Sequence, residues 1–253
     1  MYRVIIGIVV AVVVAYVSSC SSLFVFQRSL IYSPQQREFD SGHTTKLLVP
    51  GAELKISVRP YAGAKALLYL GGNAEDVSAN LRSFSDVLPD YALYLLHYRG
   101  FGGSSGQPSE EDLYSDALAV FDKIHAEHAN VVVVGRSLGS GVAIRLASTR
   151  PVSRLVLVTP FDSLQELAVQ LFPYYPVRWL LLDKFESWRY APRVTAPTVI
   201  LAAEHDEVIP RSSTELLYSR FAAGVASYKV IAGVGHDSIS ENAAYLSLLK
   251  GMP

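Results

Sequence analysis

The segment Val131-Val132-Val133-Val134-Gly135-Arg136-Ser137-Leu138-Gly139 restricts this chain more than any other. Four consecutive valines read as a strand buried on both faces. A helical pattern over Leu138–Ser148 starts immediately after, so a Gly-x-Ser-x-Gly turn has to join strand to helix with no slack. Such a reversal strains the backbone at the serine, and glycines two positions to either side remove the side chains that would collide there. The turn raises the hydroxyl above the sheet at the N-terminus of a helix, where developing negative charge is favoured. Ser137 is therefore the candidate nucleophile.

The rest of the chain supplies a sheet for this turn to sit on. Apolar runs at Lys46–Val49, Leu54–Tyr61, Ala66–Leu70, Ala92–His97, Val131–Val134, Leu155–Val158, Val199–Ala202 and Tyr228–Ile231 read as strands. From Ala66 onward they are separated mostly by helix-length segments, the pattern of parallel strands joined by crossover helices. One helix opens at Ser109-Glu110-Glu111-Asp112, with Ser109 as N-cap and acids at the positive end of the dipole. Leu113, Ala117, Val120, Phe121 and Ile124 form its core face. Helices are also expected over Ser212–Phe221 and Asn242–Lys250. Between Asp162 and Pro197 the alternation breaks: Pro173-Tyr174-Tyr175-Pro176, Trp179, Phe185, Trp188 and Tyr190 read as a lid-like insertion rich in aromatics.

A serine hydroxyl needs a base to take its proton. His236, in the loop Ala232-Gly233-Val234-Gly235-His236-Asp237 after the last strand, is the expected base. His97 and His205 are placed near the same sheet edge, while His125 and His128 are expected to face solvent and His43 precedes the core sheet. The base needs a carboxylate to hold its tautomer. Asp206 in Glu204-His205-Asp206-Glu207 gives the chain order serine, acid, histidine, with Glu204, Glu207 and Asp162 as competitors and Asp237 as a loop-stabilising side chain. The oxyanion requires two backbone N–H donors. Leu138 supplies one, and Gly71-Gly72-Asn73-Ala74 after the third strand supplies the other, through Asn73 or, second, Ala74.

The N-terminus is a membrane signal of one of two kinds. No charge interrupts Val4 to Phe26, which is long enough to span a hydrocarbon core of about 30 Å. Alternatively Val17-Ser18-Ser19-Cys20 resembles a bacterial lipobox, with Cys20 as the lipidated residue. The expected organisation is residues 1–27 as anchor or lipoprotein-type signal and 28–253 as the catalytic body, on the exported side if the chain is bacterial.

Several function classes are excluded. A formal net charge of -1 with no block of like charge gives no electrostatic case for nucleic acid. Cys20 is the only cysteine, so no internal disulfide or cysteine-based metal cluster can form. Gly100-Phe101-Gly102-Gly103-Ser104-Ser105-Gly106 lacks the lysine of a phosphate loop and the spacing of a dinucleotide fingerprint; it reads as a flexible loop bordering the pocket. No cofactor and no metal are expected, and nothing in the chain identifies a protein partner.

Taken together, these residues resemble the membrane-anchored branch of the α/β hydrolases, which includes bud-emergence-type proteins, protein depalmitoylases and bacterial peptidase-like hydrolases. The resemblance rests on Phe26-Gln27-Arg28-Ser29-Leu30-Ile31-Tyr32-Ser33-Pro34 and Gly71-Gly72-Asn73-Ala74-Glu75-Asp76. It continues through Tyr98-Arg99-Gly100-Phe101-Gly102, Gly106-Gln107-Pro108-Ser109-Glu110, the serine turn and the two loops carrying Asp206 and His236. Many relatives have His-Gly-Asn where this chain has Gly71-Gly72-Asn73, which bears on how the oxyanion loop is held. The resemblance implies the α/β-hydrolase fold, a mostly parallel central sheet with helices on both faces. It also implies acyl-transfer hydrolysis of a small-molecule or lipid acyl ester or thioester. A serine peptidase acting on short peptides and a non-catalytic membrane-bound binding protein are the alternatives.

Overall fold

A computed structural model describes residues 1–36 and 43–251. Eight strands form one sheet: β1 (Thr44–Val49), β2 (Ala52–Arg59), β3 (Lys65–Leu70), β4 (Ala92–His97), β5 (Asn130–Arg136), β6 (Arg154–Val158), β7 (Thr198–Ala203) and β8 (Ala226–Ile231). Their spatial order is β1-β2-β4-β3-β5-β6-β7-β8. The β1–β2 and β2–β4 pairs are antiparallel, and every other pair is parallel. All eight expected strands are present, with no end shifted by more than two residues.

The helices are α1 (Tyr2–Ile31), α2 (Asn80–Val87), α3 (Glu110–Glu127), α4 (Leu138–Ala147), α5 (Leu164–Leu171), α6 (Val177–Leu180), α7 (Arg211–Arg220) and α8 (Ala243–Lys250). Strand alternation sends their contacts to two cores. Leu68, Leu70, Val131 and Val133 pack with Leu113, Val120 and Phe121 of α3 and with α4. Leu67, Tyr69, Val132 and Val134 face the other way, against Phe84 of α2 and Tyr245 and Leu249 of α8. The valine run is thus buried on both faces because helices cover both. Ser109 caps α3 through its hydroxyl, which accepts from Asp112 N–H at 3.2 Å.

The order β4-β3-β5 positions the site. The chain leaves β3 in one direction to reach β4, then returns past β3 to form β5. The crossovers through α2 and α3 therefore lie on opposite faces, leaving a crevice beyond the carboxyl ends of β3 and β5. Asn73 and Ser137 follow those two ends.

Helix α1 stands apart from this plan. Its apolar residues from Val4 to Val17 are exposed, and Gln27 is its only buried residue. It is the one helix among the described residues long and apolar enough to cross a membrane. Its last turns dock on the body: Arg28 Nε lies 3.0 Å from Asp183, and Asn73 Nδ2 donates to Ile31 O at 2.8 Å.

Two expectations are corrected. His128 is buried, with Nδ1 2.7 Å from Gly63 O and Nε2 3.1 Å from the Tyr94 hydroxyl, because it ends α3 against the sheet rather than on the helix's outer face. The 100–106 loop is absent from the walls of the serine cavity. It is fastened to β2 instead, where the Ser104 and Ser105 hydroxyls accept from Lys55 and Glu53 N–H, and Phe101 enters the core.

Candidate active site

Ser137 has φ 48° and ψ -117°, a strained conformation for a residue with a side chain. The flanking glycines are needed for close approach. A Cβ on Gly135 would lie 2.6 Å from Gly139 O, and one on Gly139 would collide with the carbonyl oxygens of Leu70 and Gly71. Sheet and helix press together here, and only hydrogen atoms fit between them.

The loops after β7 and β8 bring two more expected residues to this serine. His236 Nε2 lies 2.9 Å from Ser137 Oγ, and His236 Nδ1 lies 2.9 and 3.1 Å from the two carboxylate oxygens of Asp206. An ionised carboxylate only accepts, so Nδ1 carries the proton and Nε2 is free to accept from the serine hydroxyl. The side chains of His236 and Asp206 are both buried. Burial alone would raise the Asp206 carboxyl. Hydrogen bonds from His236 and from the N–H groups of Ile209 and Val208 outweigh it and hold the group below its ordinary value. Asp206 therefore stays charged when the histidine beside it takes a proton.

The competing residues have other partners. Glu204 accepts from Gly233 N–H at 2.8 Å and Glu207 from His236 N–H at 3.2 Å, so both acids shape the histidine loop. Asp162 faces Arg220 across 3.5 Å. His97 is buried under β2, 2.9 Å from the Ser57 hydroxyl, and His205 is exposed beside Glu204. His43 precedes β1 at the far edge of the sheet.

Asn73 and Leu138 line the same cavity as Ser137, and among the described residues neither backbone N–H donates a hydrogen bond. The Asn73 amide side chain is occupied elsewhere, donating to Ile31 O and accepting from Ser33 N–H at 2.9 Å. Ala74 has φ 58°, so the turn reverses at the residue after Asn73.

Sequence reading missed the pair that holds this loop. Glu75 accepts from Gly72 N–H (2.5 Å), the Tyr69 hydroxyl (2.7 Å), Asn80 Nδ2 (2.7 Å) and Arg136 Nη1 (3.1 Å). Arg136 Nη2 also donates to Asp237 at 2.9 Å and to His236 O at 3.3 Å. One guanidinium beside the serine thus ties the serine turn, the Asn73 loop and the histidine loop together. Burial opposes its charge, but Glu75 and its neighbours hold Arg136 above the ordinary arginine value. The only sequence signal for it was a charged residue in the variable position of Gly-x-Ser-x-Gly.

Ser137 lies between two unlike spaces. On one side is an apolar cavity of about 290 Å³, in which Gln27, Asn73, Ser137 and Tyr175 are the only polar lining residues among those described. Its walls come from α5, α6 and the last turns of α1, with Ile209 beside them. On the other side is an open polar cleft bordered by Glu75, Asp76, Arg136, His236 and Asp237. No group of three or more potential metal ligands occurs among the described residues.

Comparison with known proteins agrees with this fold. Residues 65–185 match the family model described as alpha/beta hydrolase fold. The uncharacterized protein Rv2307c of Mycobacterium tuberculosis is 33% identical over 249 residues, covering 90% of this chain and 87% of that one. The chain belongs to the alpha/beta hydrolase family. The lysophosphatidylserine lipase ABHD12 of Macaca fascicularis is 34% identical over 186 residues, covering 64% of this chain and 46% of that protein. The chain thus spans about half the length of that relative. Among solved structures, the Pyrococcus furiosus esterase Pf2001 superposes with a TM-score of 0.71 at 16% identity, over 87% of this chain and 96% of that one. At that identity the likeness speaks for the fold.

Proposed function

We propose that this protein is a membrane-anchored serine hydrolase that cleaves an ester or thioester of an apolar acyl group. Ser137 Oγ attacks the acyl carbonyl while His236 Nε2 takes its proton, and Asp206 holds the imidazole and stabilises its cation. The N–H groups of Leu138 and Asn73 receive the oxyanion. His236 returns the proton to the leaving group, and water resolves the acyl-enzyme by the same steps in reverse roles. The single observation that carries this reading is the unbroken chain Asp206–His236–Ser137, at 2.9 Å per contact, opening onto an apolar cavity.

An apolar cavity on one side of the serine and a polar cleft on the other suit an amphiphilic ester, acyl chain inward and polar leaving group outward. The name of one relative, a lysophosphatidylserine lipase, points the same way. A peptidase reading would need a carboxylate free to bind a substrate amine, and Glu204 and Glu207 already bind backbone N–H groups. For the N-terminus, we favour the retained anchor over cleavage at Cys20. Helix α1 runs on through Cys20, and Tyr16 stacks on Tyr175 at 5.9 Å.

Turnover of a panel of acyl esters and thioesters tests the proposal. Ser137→Ala is expected to lower kcat by about a millionfold while leaving the fold intact. Comparable turnover by that variant would overturn it.

A further inference from the structure

The serine cavity is built partly from the membrane helix itself. Leu23, Gln27, Leu30 and Ile31 follow one face of α1 at helical spacing and form one wall; α5 and α6 form the opposite wall. The two walls are locked together by a buried glutamine. Gln27 Nε2 donates to Leu180 O at 3.1 Å, and its Oε1 accepts from Leu182 N–H at 2.7 Å. Farther from the serine, the Tyr16 hydroxyl donates to Tyr174 O at 2.9 Å. The segment containing α5 and α6 therefore runs alongside α1 from Ile31 back to Tyr16.

Helix geometry sets the depth of that contact. Arg3 has to stay at an interface, because a guanidinium in hydrocarbon is strongly disfavoured. At about 1.5 Å per residue, a core of about 30 Å ends about 20 residues later, near Leu23. Tyr16 is then about 10 Å inside the hydrocarbon, and the Tyr174–Tyr175 turn that touches it is carried in as well. Tilting the helix lowers its rise along the bilayer normal and sinks the contact further.

The surface of that segment fits such a setting. Trp179 is 87% exposed, Tyr174 85% and Leu171 75%, a cluster that water would disfavour and a leaflet would cover.

We propose that α5, α6 and the turn between them are embedded in the lipid leaflet, and that the cavity opens between them and α1 directly into it. The substrate is then a membrane-resident acyl lipid whose chain slides sideways along Leu23 toward Ser137 without crossing water. This deepens the hydrolase reading above and rests on it. The anchor is part of the substrate site as well as a tether.

The test uses the full chain in phosphatidylcholine vesicles. Trp179 and Trp188 are the only tryptophans, so Trp188→Phe leaves Trp179 as a single reporter. Lipids brominated on the upper acyl chain are expected to quench most of its emission, and aqueous iodide to quench little. Strong iodide quenching with no bromine quenching would overturn the proposal. In a second arm, Leu23→Phe narrows the passage. The ratio of kcat/KM for a long-chain lipid ester to that for a short soluble ester is expected to fall about tenfold. An unchanged ratio would also count against the proposal, since a merely structural defect lowers both rates together. Fluorophosphonate labelling of Ser137 in the same vesicles separates the two readings. Labelling without bromine quenching rejects the embedded segment alone, whereas no labelling of folded protein rejects the hydrolase.

Discussion

Arg136 makes two ion pairs of similar length in very different surroundings, so it separates burial from distance. Glu75 lies 3.1 Å away with a side chain 11% exposed; Asp237 lies 2.9 Å away and is 86% exposed. Removing one partner of a buried pair strands the other and costs about 3–5 kcal/mol. In Arg136→Met, Glu75 keeps Gly72 N–H, the Tyr69 hydroxyl and Asn80, which places the loss at the low end, about 3 kcal/mol. For a chain of this size that is a fall in Tm of roughly 6–12 °C. Asp237→Asn breaks the shorter bond and should change stability by less than about 1 kcal/mol, because water solvates both charges once they part. Activity should follow the loops. Arg136→Met frees both the Asn73 turn and the His236 carbonyl, and kcat/KM should fall by about 10–100-fold. Pairing Arg136→Met with Glu75→Gln should cost less than the sum of the two single losses, with a coupling of about 2 kcal/mol. Urea unfolding in detergent micelles of the wild type, the three single variants and the double variant measures the stability changes and the coupling, and ester turnover measures the change in kcat/KM. Equal losses for Arg136→Met and Asp237→Asn would refute the reasoning, as would additivity.

Three further outcomes are expected. Asp206→Asn should lower kcat by about 10⁴-fold at neutral pH with little change in fold, because the amide no longer enforces the proton on His236 Nδ1; ester turnover checks it. Gly139→Ala should cost about 3 kcal/mol and most activity, since its Cβ has to displace the carbonyls of Leu70 and Gly71; thermal unfolding beside turnover checks it. Burial raises the Glu110 carboxyl above its ordinary 4.5, against the lowering by the N–H groups of Phe185 and Lys184. The folded state then holds the proton longer than the unfolded chain. That contribution to stability is complete below pH 4.5 and is lost as pH rises through the higher folded value. Relative to Glu110→Gln, the wild type should weaken over this interval, as denaturant titrations at stepped pH would record.

The parts of the site that could be read in the sequence are those made locally. A valine run, a glycine-flanked serine and an immediate helix leave the backbone one way to turn, and the loops after β7 and β8 each offered few candidates of the right chemistry. The Glu75–Arg136 pair could not be read, because its members are 61 residues apart and meet only after β3 and β5 pair. The wall contributed by α1 was hidden for the same reason. Gln27 meets Leu180 across 153 residues, and hydropathy reports only that the helix is apolar, not what its last turns touch. The composition of the 100–106 loop predicts a turn but says nothing of its direction; hydrogen bonds from β2 to Ser104 and Ser105 draw it away from the pocket.

Fluorophosphonate labelling of the wild type beside Ser137→Ala is the most direct test of the central claim, because the probe reacts with an activated serine whatever the natural substrate. The account predicts a covalent adduct on Ser137 in membrane-bound wild type and none in the variant. Folded, membrane-bound wild type that takes no label, or a Ser137→Ala variant that labels equally well, would contradict it.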